Sequence, residues 1–197
     1  MQKKDPGEEI AADYLKQLGL TVEKLDQGAT KVPDFQVTSS NGYCFFAEIK
    51  SIRLQGQEAA VLWKSLHNSF GQKIFDATLQ FNAVNSQRLV PNVLIFVSDD
   101  MRINEHSMHD FFNGKVDMFD EDTVVDVTRQ RDGRVKQINQ IDLFVFISHT
   151  GDPSFVYNNI EQRFVDSLAR IFFFNDTATT QIYTGEDTLS LHDALPI

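Results

Sequence analysis

The chain of 197 residues has one cysteine, five prolines and one tryptophan, and it lacks an apolar run long enough to cross a membrane. The lone Cys44 excludes an internal disulfide framework and a cysteine zinc cluster, and it is compatible with a reducing compartment. Residues 1–5 lead directly into a capped helix and do not have the apolar core of a signal peptide. We therefore expect a cytoplasmic protein built on one domain.

Positive charge is also scarce. The chain has 18 lysine and arginine residues against 28 acidic ones, a net charge of −10. Affinity for nucleic acid depends largely on neutralised phosphates, so this balance argues against tight nonspecific binding to DNA or RNA. Basic groups are nevertheless concentrated in one region of the sequence: Lys50, Arg53, Lys64, Lys73 and Arg88.

Two acids and a lysine carry the strongest chemical signal. Pro33-Asp34 is followed, after an apolar stretch, by Glu48-Ile49-Lys50. Alternate side chains of a strand lie on one face, about 6.5 Å apart, so Glu48 and Lys50 project together. The surrounding Phe45, Phe46, Ala47 and Ile49 make this strand apolar on both faces, and charges in such a strand are costly unless they have partners or a function.

The segment between the acids predicts a β-hairpin, because Ser39-Ser40-Asn41-Gly42 is turn chemistry between apolar runs. A two-residue loop would put the two acids on opposite faces. A three-residue loop over residues 40–42, with Gly42 in the left-handed conformation, pairs Ser39 with Tyr43 and sets Asp34 opposite Glu48. We favour this second register. Two facing carboxylates repel each other unless a positive group lies between them, and a divalent cation is the natural candidate.

Pro33-Asp34 followed by Glu48-Ile49-Lys50 resembles the PD-(D/E)xK motif of restriction-endonuclease-like nucleases, and the resemblance covers residues 5 to about 98. It implies a metal-dependent nuclease that hydrolyses phosphodiester bonds with an activated water, on DNA ahead of RNA. Asp34, Glu48 and the Ile49 carbonyl would bind Mg²⁺, for which Mn²⁺ could substitute. Lys50 would orient the water and stabilise the pentavalent phosphorus. Many members work as dimers, so a homodimer is compatible with the resemblance.

A helix over residues 6–18 is predicted before the motif, with Asp5 as N-cap, Pro6 at the first position and Gly19 after its end. Glu8 lies at the edge of its apolar stripe. Two interpretations of Glu8 stay open. It can bond back to Asp5 in a capping box, or it can reach the metal site, as a glutamate on this helix often does in the family that the chain resembles.

A long helix is predicted over residues 57–83, with apolar residues at three- and four-residue steps. The resemblance implies that a glutamine or lysine of this helix contacts the phosphate or the water, and the candidates are Lys64, Gln72, Lys73 and Gln80. Strands are predicted over residues 92–98 and 141–148 and on both sides of Asp132-Gly133, and a last helix over residues 158–170. The expected class is α/β (α+β), a mixed sheet flanked by helices with an αβββαβ core.

Residues 101–122 read as an irregular loop, and the histidines His106 and His109 with Asp110 in it are expected to be polar loop residues rather than a metal site. Two other functions stay open beside the nuclease. One is a noncatalytic module that binds nucleic acid or a protein, and the other is a hydrolase of a different phosphate ester.

The last residues, 172–197, resemble the in-frame translation of a sequencing-library adapter. We therefore expect the domain to span residues 1–171, the native C-terminus to be missing, and His192 and Asp193 to have no function. The tail holds four acidic residues and no lysine or arginine, so the body alone has a net charge of −6.

Overall fold

A computed structural model of the chain describes residues 5–53, 59–103, 107–108, 111–112, 115–117, 124–126, 138–148, 153–158, 160–172 and 182–184. Among these residues, no helix combines the length and the apolar character needed to span a membrane. Among the described residues, the α-helices of eight or more residues are α1 (Pro6–Gln17), α2 (Ala59–Asn85) and α3 (Val165–Phe172). The strands are β1 (Thr21–Lys24), β2 (Phe35–Thr38), β3 (Cys44–Ser51), β4 (Asn92–Val97), β5 (Lys115–Asp117), β6 (Val124–Asp126), β7 (Leu143–Ile147), β8 (Pro153–Asn158) and β9 (Ile182–Thr184).

In the part of the chain that the structure describes, seven strands form one mixed sheet in the order β1-β2-β3-β4-β7-β8-β9, and β5 pairs with β6 separately. The helical residues 107–108 and 111–112 and the strand β5 lie within residues 101–122, so the prediction of an irregular loop was wrong for these residues. The strands β3, β4 and β7 are parallel, whereas β1, β2 and β3 form an antiparallel meander. The element order α1-β1-β2-β3-α2-β4 agrees with the predicted αβββαβ core. The expected mixed sheet flanked by helices is therefore confirmed.

The central strands β4 and β7 are buried on both faces, which explains why they read as continuous apolar runs. Side chains such as Ile95 and Val145 pack with α1 and α3 on one face. Their neighbours in sequence, such as Phe96 and Phe144, pack with α2 on the other face. Glu48 and Lys50 alternate with Ile49, and they lie on the face covered by α2.

The first helix begins at Pro6 as predicted and ends at Gln17, one residue before the predicted end. The Asp5 carboxylate accepts a hydrogen bond from Gly7 N at 2.9 Å, and Pro6 is the first helical residue. Gly19 follows the helix with φ of 76°, and its N–H donates to the Lys16 carbonyl at 2.9 Å. A glycine accepts this left-handed backbone without the strain that a Cβ would add.

The prediction for the last helix was wrong at its start. Asn158 belongs to β8, a short 3₁₀ turn follows over Gln162–Phe164, and the α-helix begins only at Val165. The apolar pattern that suggested a single helix comes from Ile160 and Phe164, which both pack against the core although Ile160 precedes the turn and Phe164 is its last residue. Phe172, the first residue of the adapter-like segment, ends α3 with its ring centroid 5.8 Å from that of Phe45.

A buried polar cluster ties the other end of the sheet together. Asp142 is fully buried, accepts from Asn92 N at 2.9 Å and pairs with the Arg88 guanidinium at 2.7 Å. Arg88 also pairs with Glu161 at 2.5 Å. These groups lie at the amino ends of β4 and β7. Arg88 is therefore a structural cation at the end of the sheet opposite to Lys50.

Candidate active site at the carboxyl ends of the strands

The β2–β3 hairpin has the register that brings the two acids together. Ser39 N donates to the Tyr43 carbonyl at 2.8 Å, Gly42 N donates to the Ser39 carbonyl at 2.9 Å, and Gly42 has φ of 81°. The pairing runs from Thr38 opposite Cys44 to Phe35 opposite Ala47. One step further along this ladder sets Asp34 opposite Glu48, so the predicted three-residue loop and register are confirmed.

The carboxylates of Asp34 and Glu48 each bond to the backbone of the facing strand. Asp34 N donates to Glu48 Oε2 at 3.0 Å, and Ile49 N donates to Asp34 Oδ2 at 2.8 Å. These side-chain bonds take the place of the backbone hydrogen bonds that β2 would make here if it began before Phe35. They hold the acids in fixed positions and leave one oxygen of Asp34 outside the pairing.

The Ile49 carbonyl lies on the same side of β3 as the Ile49 N–H, because both backbone groups of one strand residue point toward the same neighbour. That N–H faces Asp34, which precedes the first residue of β2. The carbonyl is thus directed past the end of β2, and Ile49 lines the adjoining cavity. A backbone oxygen therefore accompanies the two carboxylates.

Lys50 completes the cluster. Its Nζ donates to Glu48 Oε1 at 2.5 Å and to Gln80 Oε1 at 2.7 Å. Glu48 is 1% exposed and Gln80 is 7% exposed, so these contacts are made under α2 and away from bulk water. The single lysine is shared between the acid pair and a neutral amide.

The electrostatics of the acids reflect their burial. Desolvation, reinforced by the neighbouring Asp34 charge, raises the pKa of Glu48 from 4.5 to about 8, although Lys50 acts in the opposite direction. Desolvation also raises the pKa of Asp34, with a further contribution from Glu8. One lysine therefore does not compensate two buried carboxylates, and the pair needs either a proton or further positive charge at neutral pH.

The first turn of α1 forms one wall of the site. Gly7 is buried so close to β3 that a Cβ in its place would lie 2.3 Å from Ser51 Oγ. Ser51 Oγ in turn donates to Asp5 Oδ1 at 2.9 Å. This close approach lets Glu8 line the same cavity as Asp34, where its carboxylate pairs with Lys24. Of the two interpretations of Glu8, the geometry supports proximity to the site.

A cavity of about 480 Å³ opens beside the acid pair. Four of the residues that line it are acidic and three are lysines. The lining residues are Asp5, Glu8, Gln27, Gly28, Lys31, Asp34, Glu48, Ile49, Lys50, Ser51, Lys73 and Gln80. Gln27, Gly28 and Lys31 were missed by the sequence analysis, because they lie in the irregular β1–β2 connection, where no periodicity indicates which way a side chain points.

Lys73 is a half-buried cation of this cavity. Burial lowers its pKa, and the nearby charge of Lys50 lowers it further. Among the residues that the structure describes, Lys73 has no carboxylate within salt-bridge distance. A lysine held in this way presents its ammonium to any anion that enters the cavity.

The other residues that the sequence indicated as site candidates lie outside the cavity or outside the described residues. Gln72 lies on the exposed side of α2 and donates to Asp76 at 3.0 Å, so it is not part of the cavity. Arg53 is exposed and pairs with Asp99 at 2.9 Å. The Lys64 side chain, His106, His109, Asp110 and the predicted hairpin at Asp132-Gly133 lie outside the described residues.

The donor atoms fit a small divalent cation. Within the described ranges, no three acidic, histidine or cysteine side chains converge as a complete metal site. Two carboxylates and the Ile49 carbonyl nevertheless form an all-oxygen set, and Mg²⁺ prefers oxygen ligands and retains several waters. The unbalanced negative charge of the buried pair is the observation that favours a cation here.

The stability of the folded protein should depend on pH because Glu48 is buried next to Asp34. Because the pKa of Glu48 is raised to about 8 in the folded protein, its contribution to stability is complete below about pH 4.5 and is lost as the pH rises through about 8. We expect the melting temperature in a chelator to fall across this range, and Glu48→Gln to remove roughly 5 °C of that fall. Thermal melts at several pH values test this.

The exposed Glu23 of β1 supplies the matched control, since Glu23→Gln removes an equal charge from an exposed position that pairs with Gln36 and with neither acid. It should leave the pH dependence as in the parent. An equally steep loss of stability in Glu48→Gln and in the parent would mean that Glu48 is ionised throughout this range.

Compared with models of protein families, with curated proteins and with solved structures, the chain has no significant match.

Proposed function

We propose that the chain is a metal-dependent nuclease of the PD-(D/E)xK type, with a restriction-endonuclease-like fold. The observation that carries the proposal is the convergence of Asp34, Glu48 and Lys50 on one face of a buried hairpin, at the edge where parallel strands end. Open α/β sheets commonly bind ligands at this carboxyl edge. Lys50 alone does not balance the negative charge of Asp34 and Glu48, and this excess supports a cation between the two acids and a phosphate.

Each residue has a task in phosphodiester hydrolysis. Asp34, Glu48 and the Ile49 carbonyl would hold the cation, Mg²⁺ or Mn²⁺. When bound, such an ion lowers the pKa of a coordinated water and offsets the charge that develops on the phosphate oxygens. Lys50, which donates to Glu48, orients the attacking water and stabilises the pentavalent phosphorus with its ammonium. Glu8 adds negative charge at the wall of the site.

Lysines near the acid pair compensate locally for the acidic surface of the chain. Lys31 and Lys73 line the cavity beside the acids, and Lys73 has a half-buried ammonium that suits a phosphate oxygen. Contacts of this kind fix the register of a nucleic acid strand without reading its sequence. Few such contacts are available, so binding should be weak and should depend only shallowly on salt concentration. DNA is the expected substrate ahead of RNA, on the resemblance of the motif.

A cleavage assay tests the proposal. The full chain is incubated with Mg²⁺ and with single-stranded DNA, duplex DNA, branched DNA or RNA, beside a sample with a chelator. We expect Mg²⁺-dependent cleavage of at least one substrate, lost in the chelator and in Glu48→Ala. Glu23→Ala, an equal truncation at the exposed strand β1, should cleave like the parent.

Two results would count against the proposal. Cleavage that survives Glu48→Ala would come from another site or from a contaminant. Binding of nucleic acid without cleavage of any of the four substrates, in Mg²⁺ and in Mn²⁺, would favour the noncatalytic module instead.

A further inference from the structure

Gln80 is a buried residue of α2 that contacts both Lys50 and the segment that leads into Asp34. Its Oε1 accepts from Lys50 Nζ at 2.7 Å, and its Nε2 donates to the Val32 carbonyl at 3.0 Å. Val32 is joined through Pro33 to Asp34. One amide therefore connects the catalytic lysine of β3 to the segment that delivers the first acid.

The two partners of Gln80 require an amide. An ammonium group can only donate and a backbone carbonyl can only accept, so the side chain between them must present one acceptor and one donor at its end. Glutamate has two acceptors and would face the Val32 carbonyl with an oxygen. Methionine, similar in shape to glutamine, would satisfy neither partner. The local geometry thus selects glutamine chemically as well as by size.

Gln80 also differs from the other acceptor of Lys50. Glu48 accepts from Lys50 with one oxygen and from Asp34 N with the other, and it is the proposed ligand of the cation. Gln80 is neutral, and within the described part of the chain its side chain bonds to Lys50 and to the Val32 carbonyl. It can therefore hold the Lys50 ammonium whether Glu48 is protonated, ionised or bound to a cation.

We infer that Gln80 is a positioning residue, which fixes the Lys50 ammonium relative to the Val32–Asp34 segment without contacting the substrate itself. The inference rests on the proposed nuclease function. Gln72 lies eight residues earlier on the same helix, but it is exposed and donates to Asp76. The two glutamines were equivalent candidates in the sequence, and the contacts separate them.

Kinetics provide the first test. Gln80→Met should lower kcat for Mg²⁺-dependent cleavage by about 100-fold, the order expected when a catalytic group is displaced by about an ångström, with KM changed less than about threefold. Gln72→Met should cleave like the parent. In a Lys50→Met background, Gln80→Met should add less than about threefold, because its effect passes through Lys50. A further loss of about 100-fold in kcat in the Lys50→Met background would overturn the inference.

A second measurement does not depend on activity. The Lys50 ammonium is observed by NMR of ¹⁵N-labelled lysine side chains and assigned by its disappearance in Lys50→Met. The ammonium should be rigid in the parent, in Gln72→Met and in Gln80→Glu. In Gln80→Met it should become mobile. Glutamate keeps the acceptor for Lys50.

The two tests fail in different ways. If no protein cleaves any substrate but the ammonium loses its order in Gln80→Met, the nuclease proposal fails and the positioning role stands. If the ammonium keeps its order in Gln80→Met, Glu48 alone holds Lys50 and the inference is wrong, whatever the cleavage rates.

Discussion

Asp34→Asn should lower Mg²⁺-dependent cleavage by about 1,000-fold or more, because it removes one of the two proposed carboxylate ligands and with it several kcal/mol of transition-state stabilisation. The substitution is nearly isosteric. The asparagine Oδ1 can still accept the hydrogen bond from Ile49 N, so the hairpin should keep its register. Steady-state cleavage rates at saturating Mg²⁺ measure the effect.

The same variant should not lose stability. Burial raises the pKa of Asp34, and the Asp34 charge contributes to the raised pKa of Glu48, so removing that charge relieves a repulsion. We expect the melting temperature of Asp34→Asn in a chelator to equal or exceed that of the parent near pH 8. Loss of activity with retained stability distinguishes a functional acid from a structural one.

Asp26→Asn is the matched control, since Asp26 lies in the same β1–β2 connection and is exposed. It should cleave within about twofold of the parent, as surface substitutions away from a site usually change little. If Asp34→Asn cleaves as fast as Asp26→Asn, the acid pair does not carry the chemistry.

Lys50→Met should lower kcat by about 100- to 1,000-fold, the loss seen when one preorganised donor to a developing negative charge is removed. The KM for nucleic acid should change little, because Lys50 already donates to Glu48 and Gln80 and contributes few contacts to binding. Lys50→Arg should not restore the rate, since the planar guanidinium cannot reproduce a compact ammonium between these two acceptors.

Lys16→Met controls for the loss of one positive charge. Lys16 is exposed on α1, where it pairs with Asp13 at 3.3 Å. It should show kcat close to that of the parent. A Lys50→Met enzyme that loses affinity at unchanged kcat would make Lys50 a binding residue, and the mechanism proposed for it would be incorrect.

Local chemistry in the sequence predicted the part of the site that lies in one hairpin. The residues of the turn determined its loop length, the loop length determined the register, and the register brought Asp34 opposite Glu48. The first helix was predicted for the same reason, because its cap, its proline and its final glycine are all local signals.

Contacts between distant elements could not be predicted in this way. The period of α2 identifies the face that packs on the sheet, but not how far along the helix the site lies. Lys73 and Gln80 are seven residues apart, close to two full turns, so they share a face, whereas Gln72 is rotated by about 100° from Lys73. Only the packing of α2 against β3 shows that the shared face meets Lys50.

The start of α3 was predicted wrongly for a different reason. Ile160 and Phe164 are apolar at a helical spacing, and the prediction extended the helix to include them. In the structure a 3₁₀ turn supplies the same burial, and the hydrogen bond from Phe164 N to the Glu161 carbonyl at 2.8 Å belongs to that turn. Periodicity alone does not separate a helix from a turn that leads into one.

The most direct test of the cation site is an NMR titration of the full chain with small amounts of Mn²⁺, which broadens the amide signals nearest to the bound ion. A cation held by the acid pair should selectively broaden the amide signals of Asp34, Ile49 and Lys50. This broadening should be abolished in Asp34→Asn and unchanged in Asp26→Asn. Broadening centred elsewhere, or equal in the two variants, would contradict it.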